Sequence, residues 1–220
     1  MISRLWLANR RDGMSVEAFA EHWGEVHAMY AARMVGLRSY RLSLAALPYD
    51  DVFSYAGFDG CSELQFDSVR ALLAAFNTRP IAEATLHEDG FAAPDRGITL
   101  LAERRVLQHG EPAPGAVRLM TLMRANPATG EGPLRDALRG PYRAAVARTR
   151  PVSHELYATT HQQRSTDPPP VFDAIDSIFF VDREAARRYV TGPHCLAAAL
   201  SLAGLVFGRE RALVGAIPLR

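Results

Sequence analysis

One histidine in this chain sits where a core residue belongs. In residues 15–34 (SVEAFAEHWGEVHAMYAARM), Val16, Phe19, Trp23, His27, Tyr30 and Met34 fall within about 40° of Trp23 on a helix of about 100° per residue. An imidazole titrates near neutrality, so His27 can take a proton from an activated carbon or phenol and return it. Trp23 and Tyr30 would hold a planar substrate against it. The competing reading is a core histidine tied to a backbone carbonyl or to a carboxylate such as Glu63.

Four further residues belong to this question. His22 lies about 100° from Trp23, at the edge of the stripe, and reads as a boundary residue or a hydrogen-bond partner of a neighbouring strand. Tyr40, on the next strand, carries a phenol able to donate to a developing enolate oxygen, or else is a core aromatic. Trp6 on the first strand reads as packing or as a pocket wall. Glu63, mid-strand, needs a partner if buried, either an imidazole or an arginine such as Arg41. His22 and His27 are five apart, not the four of helical zinc ligands, so no metal site is expected. In the other half, no spacing links His154, His161 and His194, which read as surface or capping residues. The chain has no phosphate loop, nucleophile elbow or Cys–His arrangement, so no nicotinamide, flavin or nucleotide cofactor is expected.

Composition narrows the classes. The 220 residues are 48% hydrophobic and 22% charged with a formal net charge of +1, which gives no case for a nucleic-acid or anionic-membrane surface. Every basic residue is arginine, so a lysine Schiff-base mechanism is excluded. Cys61 and Cys195 lie in different halves with no metal-ligand spacing, which argues against a disulfide framework. No signal pattern opens the chain and no window approaches the ~20 apolar residues of a membrane span. A soluble, cytoplasmic protein with a small hydrophobic or aromatic ligand is expected, as a monomeric pseudo-dimer or a homodimer.

The elements that must position these residues recur in one order. Strands are expected at 2–9, 37–47, 61–66 and 98–106, with helices at 15–34 and 68–76 and a less regular stretch at 81–86. Residues 48–59 form a loop carrying Tyr49, Phe53, Tyr55 and Phe58, dense in aromatics for a connector. Residues 108–114, punctuated by Pro and Gly, read as a linker between domains at 1–107 and 115–220. Beyond it, strands are expected at 117–124, 152–160, 175–181 and 212–217. Helices are expected at 133–149 and at 183–202, the latter broken at Gly192-Pro193, and a Pro-rich loop at 167–170.

The halves also match in places. RLWLANR from Arg4 aligns with RLMTLMR from Arg118, 114 residues on. At a spacing of 115, Phe19 falls on Leu134, Trp23 on Leu138, His27 on Tyr142 and Asp67 on Asp182. Each half reads as a β-α-β-β-α-β, ferredoxin-like unit with helices on one sheet face. Strands apolar on both sides need cover on the other face too. The expected fold is therefore α+β, two such units forming an intramolecular barrel. The imidazole is present once, so the second half is read as completing the barrel.

These residues resemble the EthD family of the dimeric α+β barrel superfamily. Phe19, His22-Trp23, His27, Gly36-Leu37 and Tyr40 are similar to its first block. Asp59 to Ser68 (DGCSELQFDS) resembles its D-G-x-x-E-x-x-F-D-S segment, and Glu88-Asp89 with Phe91, Asp95 and Glu103 resembles its ending. The second half lacks the H-W pair and the histidine and resembles a diverged copy. The resemblance implies a ferredoxin-like fold with a pocket between the first helix and the sheet. Family members are tied to ethyl tert-butyl ether breakdown, and fungal relatives dehydrate or decarboxylate polyketides. The wider superfamily includes cofactor-free polyketide cyclases and quinone-forming monooxygenases. A lyase- or cyclase-type enzyme with His27 as acid/base is the first expectation, an oxidoreductase the second, and a non-catalytic binding protein the third. Trp23, Tyr30, Tyr40, His22 and Trp6 are the expected substrate contacts.

Overall fold

The computed structural model describes residues 1–77, 90–164 and 170–219. The stretches expected at 81–86 and around Glu88-Asp89, and most of the loop at 167–170, lie outside the described residues. The chain divides into two compact units. One is built on Met1–Ala45 and Gly57–Glu103, the other on Ala46–Ala56 and Arg104–Ala216.

In the first unit, β1 (Ile2–Ala8) leads through helix α1 (Val16–His22), a π-helical turn (Trp23–His27) and α2 (Ala28–Ala31) to β2 (Ser39–Ala45). Then follow β3 (Gly60–Phe66), α3 (Val69–Phe76) and β4 (Ile98–Gln108). The antiparallel sheet order is β4-β1-β3-β2. The second unit repeats the plan. It runs β5 (Val117–Ala125), α4 (Glu131–Ala137), a π turn (Leu138–Tyr142), α5 (Arg143–Ala147) and β6 (Ser153–Thr159). A short α6 (His161–Arg164), β7 (Ala174–Phe180), α7 (Arg183–Val190), α8 (Pro193–Ser201) and β8 (Val206–Leu219) complete it, in sheet order β8-β5-β7-β6. The fold is α+β, two ferredoxin-like units of the dimeric α+β barrel class in one chain. No helix among the described residues is long and apolar enough to cross a membrane.

Local chemistry explains the boundaries. Ser15 caps α1 by accepting from the Ala18 N–H, the helical run ends at Ala31, and Gly36, at φ 79°, supplies a left-handed residue in the turn that leads on to β2. Pro193 opens α8 at a position where its missing N–H costs nothing. The single helix expected at 15–34 is corrected by the π turn, which inserts an extra residue into the run and shifts the phase of everything after it. Phe19, Trp23, His27 and Met34 are buried as expected, but Ala31 takes the buried place assigned to Tyr30, which is only half-buried.

Facing corrects the internal alignment. In β1, Trp6 and Ala8 pack with Phe19 and Trp23, and Arg4 stacks over Phe76, so these residues face the helices. In β5 the helix-facing set is Val117, Leu119 and Met123, while Arg118 turns away to Ser177 and the Tyr157 and Phe179 rings. Arg4 and Arg118 therefore point to opposite faces, because a one-residue slip inverts a strand. The spacing of 115 holds for the π turns, Trp23–His27 and Leu138–Tyr142. The helix caps correspond as Ser68 and Asp182, each accepting from a backbone N–H three residues on, rather than as Asp67 and Asp182.

Residues 46–56 of the aromatic loop, with Tyr49, Phe53 and Tyr55, belong to the second unit, while Phe58 falls in the first. Asp50 accepts from the Val52 and Phe53 N–H groups at 2.8 Å and pairs with Arg183 and Arg187, whose guanidinium groups lie 5.1 and 5.8 Å from the Phe53 ring centroid. The Arg183 hydrogen bond, ahead of the backbone donors, holds the Asp50 carboxyl well below the usual carboxylate range. A depressed folded-state value means the clasp is in force above the unfolded carboxyl's ~3.9 and is lost as pH falls through the lower folded value. Protection of the Val52 and Phe53 amides, taken relative to their intrinsic exchange rates, should persist at pH 4 and be lost only in stronger acid. Asp50→Ala should remove it already at pH 7 with little change in melting temperature. Protection already lost in the wild type at pH 5 would contradict the clasp.

Candidate functional site

In the first unit the helix-facing residues of β1 and the π turn build one aromatic group. Trp23, fully buried, meets Trp6 at 5.2 Å between ring centroids and Phe19 edge-on at 5.1 Å. Two glycines make this possible. A Cβ at Gly60 would lie 2.8 Å from the Trp23 ring, and one at Gly97 would lie 2.5 Å from the Trp6 indole nitrogen.

His27 closes the π turn at 6% exposure, with Phe91 at 5.2 Å, Trp6 at 6.0 Å and Trp23 at 6.3 Å from its ring. His22 stacks on the opposite partner of this group, 4.9 Å from Phe91 and tilted 31°. Its buried Nε2 has no hydrogen-bond partner among the described residues. The structure thus brings Trp6, His22, Trp23 and His27 together around Phe91. Tyr40 is buried on β2 with its hydroxyl beside the Trp23 indole N–H, though the two form no well-shaped hydrogen bond. Burial pushes the Tyr40 phenol well above the ordinary tyrosine value, and the Trp23 N–H pulls the other way. Tyr30 lies half-buried beneath the Arg33 guanidinium, 6.0 Å from its ring centroid.

Glu63 resolves differently from an imidazole partner. It faces away from the helices and accepts from Arg41 at 3.1 Å, Gln65 at 2.7 Å and Ser3 at 3.3 Å. A carboxylate with three donors is satisfied where it stands.

The second unit holds a polar cluster that the sequence reading missed. Asp176 on β7, fully buried, accepts from the Tyr142 hydroxyl at 2.7 Å and contacts His154 Nε2 at 2.6 Å. His154 is 1% exposed, which corrects its reading as a surface or capping residue. His161 is exposed and His194 half-buried. The signal was alternation: His154 and Leu156 share one strand face, as do Asp176, Ile178 and Phe180, and that face packs on helices.

The comparisons bear on the first unit. The family model described as the EthD domain matches residues 11–95. Residues 11–95 form an EthD domain. The match contains α1, the π turn, β2, β3 and Phe91, and so most of the His27 group, with Trp6 just ahead of it. Solved structures similar to the whole chain include an anthrone oxidase-like protein, 16% identical, covering 99% of this chain and 92% of that one with a TM-score of 0.68. A putative monooxygenase from Fusobacterium nucleatum is 9% identical, covers 100% and 97%, and has a TM-score of 0.61. Another from Lactobacillus acidophilus is 14% identical, covers 100% and 99%, and has a TM-score of 0.54. These likenesses establish the fold: the EthD domain here is followed, in one chain, by a second ferredoxin-like unit. No curated protein matches the sequence.

Proposed function

We propose that the EthD domain is a cofactor-independent enzyme acting on a small planar aromatic or polyketide-like substrate, with His27 as its acid/base group. The observation that carries this is a buried imidazole walled by Trp6, Trp23 and Phe91, beside an indole N–H and a phenol without well-formed partners. Buried polar groups are almost always satisfied, so such donors point to an occupant with an acceptor oxygen. The rings would take the substrate's flat faces, Trp23 and Tyr40 would hold its oxygen, and His27 would remove a proton from the adjacent carbon. Trp6, His22 and Tyr30 complete the assigned contacts.

Two fates of the resulting carbanion fit the same base: loss of a leaving group, as in dehydration or decarboxylation, and reaction with oxygen. The full-length fold neighbours, an anthrone oxidase-like protein and two putative monooxygenases, support oxygenation. In it, an anthrone loses a C–H proton, the carbanion adds dioxygen, and the hydroperoxide loses water to leave a quinone carbonyl. The test is an oxygen electrode with anthrone as substrate. Oxygen uptake matched one-to-one by anthraquinone supports oxygenation. Turnover of polyketide-like substrates without oxygen uptake would instead select the lyase reading, and no turnover of either would favour a binding protein.

We also read residues 1–107 and 115–220 as two copies of one unit joined by 108–114. The π turns 115 residues apart support this.

A further inference from the structure

We infer that the second unit holds a small-molecule site of its own, which takes a phenol- or enol-type oxygen between Tyr142, Tyr189 and Arg211 with its ring in an adjoining cleft. The site lies outside residues 11–95 and does not rest on the reading of His27.

Its floor is the buried network already described, extended by one residue. Tyr189 on α7 stands next to Tyr142, which donates to Asp176, which in turn meets His154. Against this row lies a chamber of about 10 Å³ lined by Thr121, Tyr142, Tyr189, Cys195 and Arg211. That is room for about one water or one ligand oxygen. Arg211 sits opposite Thr121 in the β5–β8 ladder, which turns both side chains to the helices. Among the described residues the guanidinium has one hydrogen-bond partner, Cys195 Sγ at 3.2 Å. A thiol is a weak acceptor for a fixed fork of five donors.

A wider cavity adjoins the chamber. Ala199, Leu202 and Arg209 line both the chamber and this second cavity of about 260 Å³, whose other walls include Val206 and Phe207. Phe207 is 73% exposed, a large apolar ring held at the rim of a cleft. The combination is a mixed mouth edged by Val206 and Phe207, a neck carrying Arg209, and a chamber of single-oxygen size floored by Tyr142 and Tyr189. The Tyr142 proton is already committed to Asp176, so the selecting donor is the Arg211 guanidinium, whose permanent charge favours an oxygen bearing negative charge or partial negative charge. The ligand class is therefore a planar phenol or enolisable carbonyl.

The probe is 1-naphthol, with 1-methoxynaphthalene as the oxygen-blocked control, measured by isothermal titration calorimetry on the full chain. The wild type should bind 1-naphthol at least tenfold more tightly than the methyl ether. Arg211→Met should weaken 1-naphthol at least tenfold with the folded state retained by circular dichroism. Should that variant fail to fold, Ala199→Trp decides alone: it fills the neck from a half-buried position on α8 and should abolish the same binding event. Binding unchanged in Ala199→Trp, equal binding of the methyl ether, or no heat from 1-naphthol at millimolar concentration would each overturn the site. None of these outcomes depends on turnover at His27.

Discussion

Replacing His27 by glutamine should lower turnover by about 10²–10⁴-fold while leaving the melting temperature within a few degrees. Glutamine approximates the size of the imidazole and keeps a donor and an acceptor, so the aromatic group around Phe91 can stay packed. What it cannot do is accept a proton from a substrate and return it. If His27 is instead a structural residue, the outcome inverts: activity survives and the fold loses roughly 1–3 kcal/mol through a buried group left unsatisfied. The internal control is Tyr142→Phe at the equivalent position of the second unit's π turn. It should leave that same turnover intact, because the proton chemistry is assigned to the EthD domain. Equal losses from both substitutions would refute a single reacting centre.

The sequence reading succeeded where one local period governs a whole element. Strand alternation and the order β-α-β-β-α-β are set by side-chain facing within seven or so residues, and both units follow it. The shared burial of Phe19, Trp23 and His27 was legible for the same reason, since residues at helical spacing share a face, whereas Trp6 joins them from β1. The errors arise where the period changes. A π turn adds a residue to a helical turn without any signal in composition, so Tyr30 gave its buried place to Ala31. The Arg4–Arg118 match was a likeness of letters that a pleated strand does not honour. Phe91, the ring at the centre of the site, follows a stretch with no periodicity to place it. The His154–Asp176 contact was hidden because it joins neighbouring strands, and pairing partners are fixed by register rather than by separation along the chain. The loop at 46–56 showed its aromatics in the sequence, but only Arg183 and Arg187 explain which unit it serves.

Alkali should unfold this protein through its buried tyrosines. Tyr40, Tyr142 and Tyr189 are all pushed above the ordinary phenol value, in each case chiefly by burial. Asp176 adds a further upward push on Tyr142 and Tyr189. A folded-state value raised above the unfolded one means the stabilising contribution is complete below the unfolded tyrosine's value of about 10. It is lost as pH rises beyond it, because the unfolded chain releases protons the folded chain retains. Each such tyrosine then removes about 1.4 kcal/mol of stability per pH unit. The urea midpoint should be flat from pH 7 to 9 and fall steeply above 10, with phenolate absorbance appearing together with loss of helical circular dichroism. Tyr142→Phe tests the assignment because its two effects have opposite pH dependence. At pH 7 it strips Asp176 of a donor and should cost about 1–3 kcal/mol. Above pH 10 it removes one of the three titrating groups, so the gap to wild type should narrow by about 1.4 kcal/mol per pH unit. Two stability curves that stay parallel through pH 11 would mean that Tyr142 ionises as readily in the folded chain as in the unfolded one, and that the Tyr142–Asp176 contact is not buried in solution.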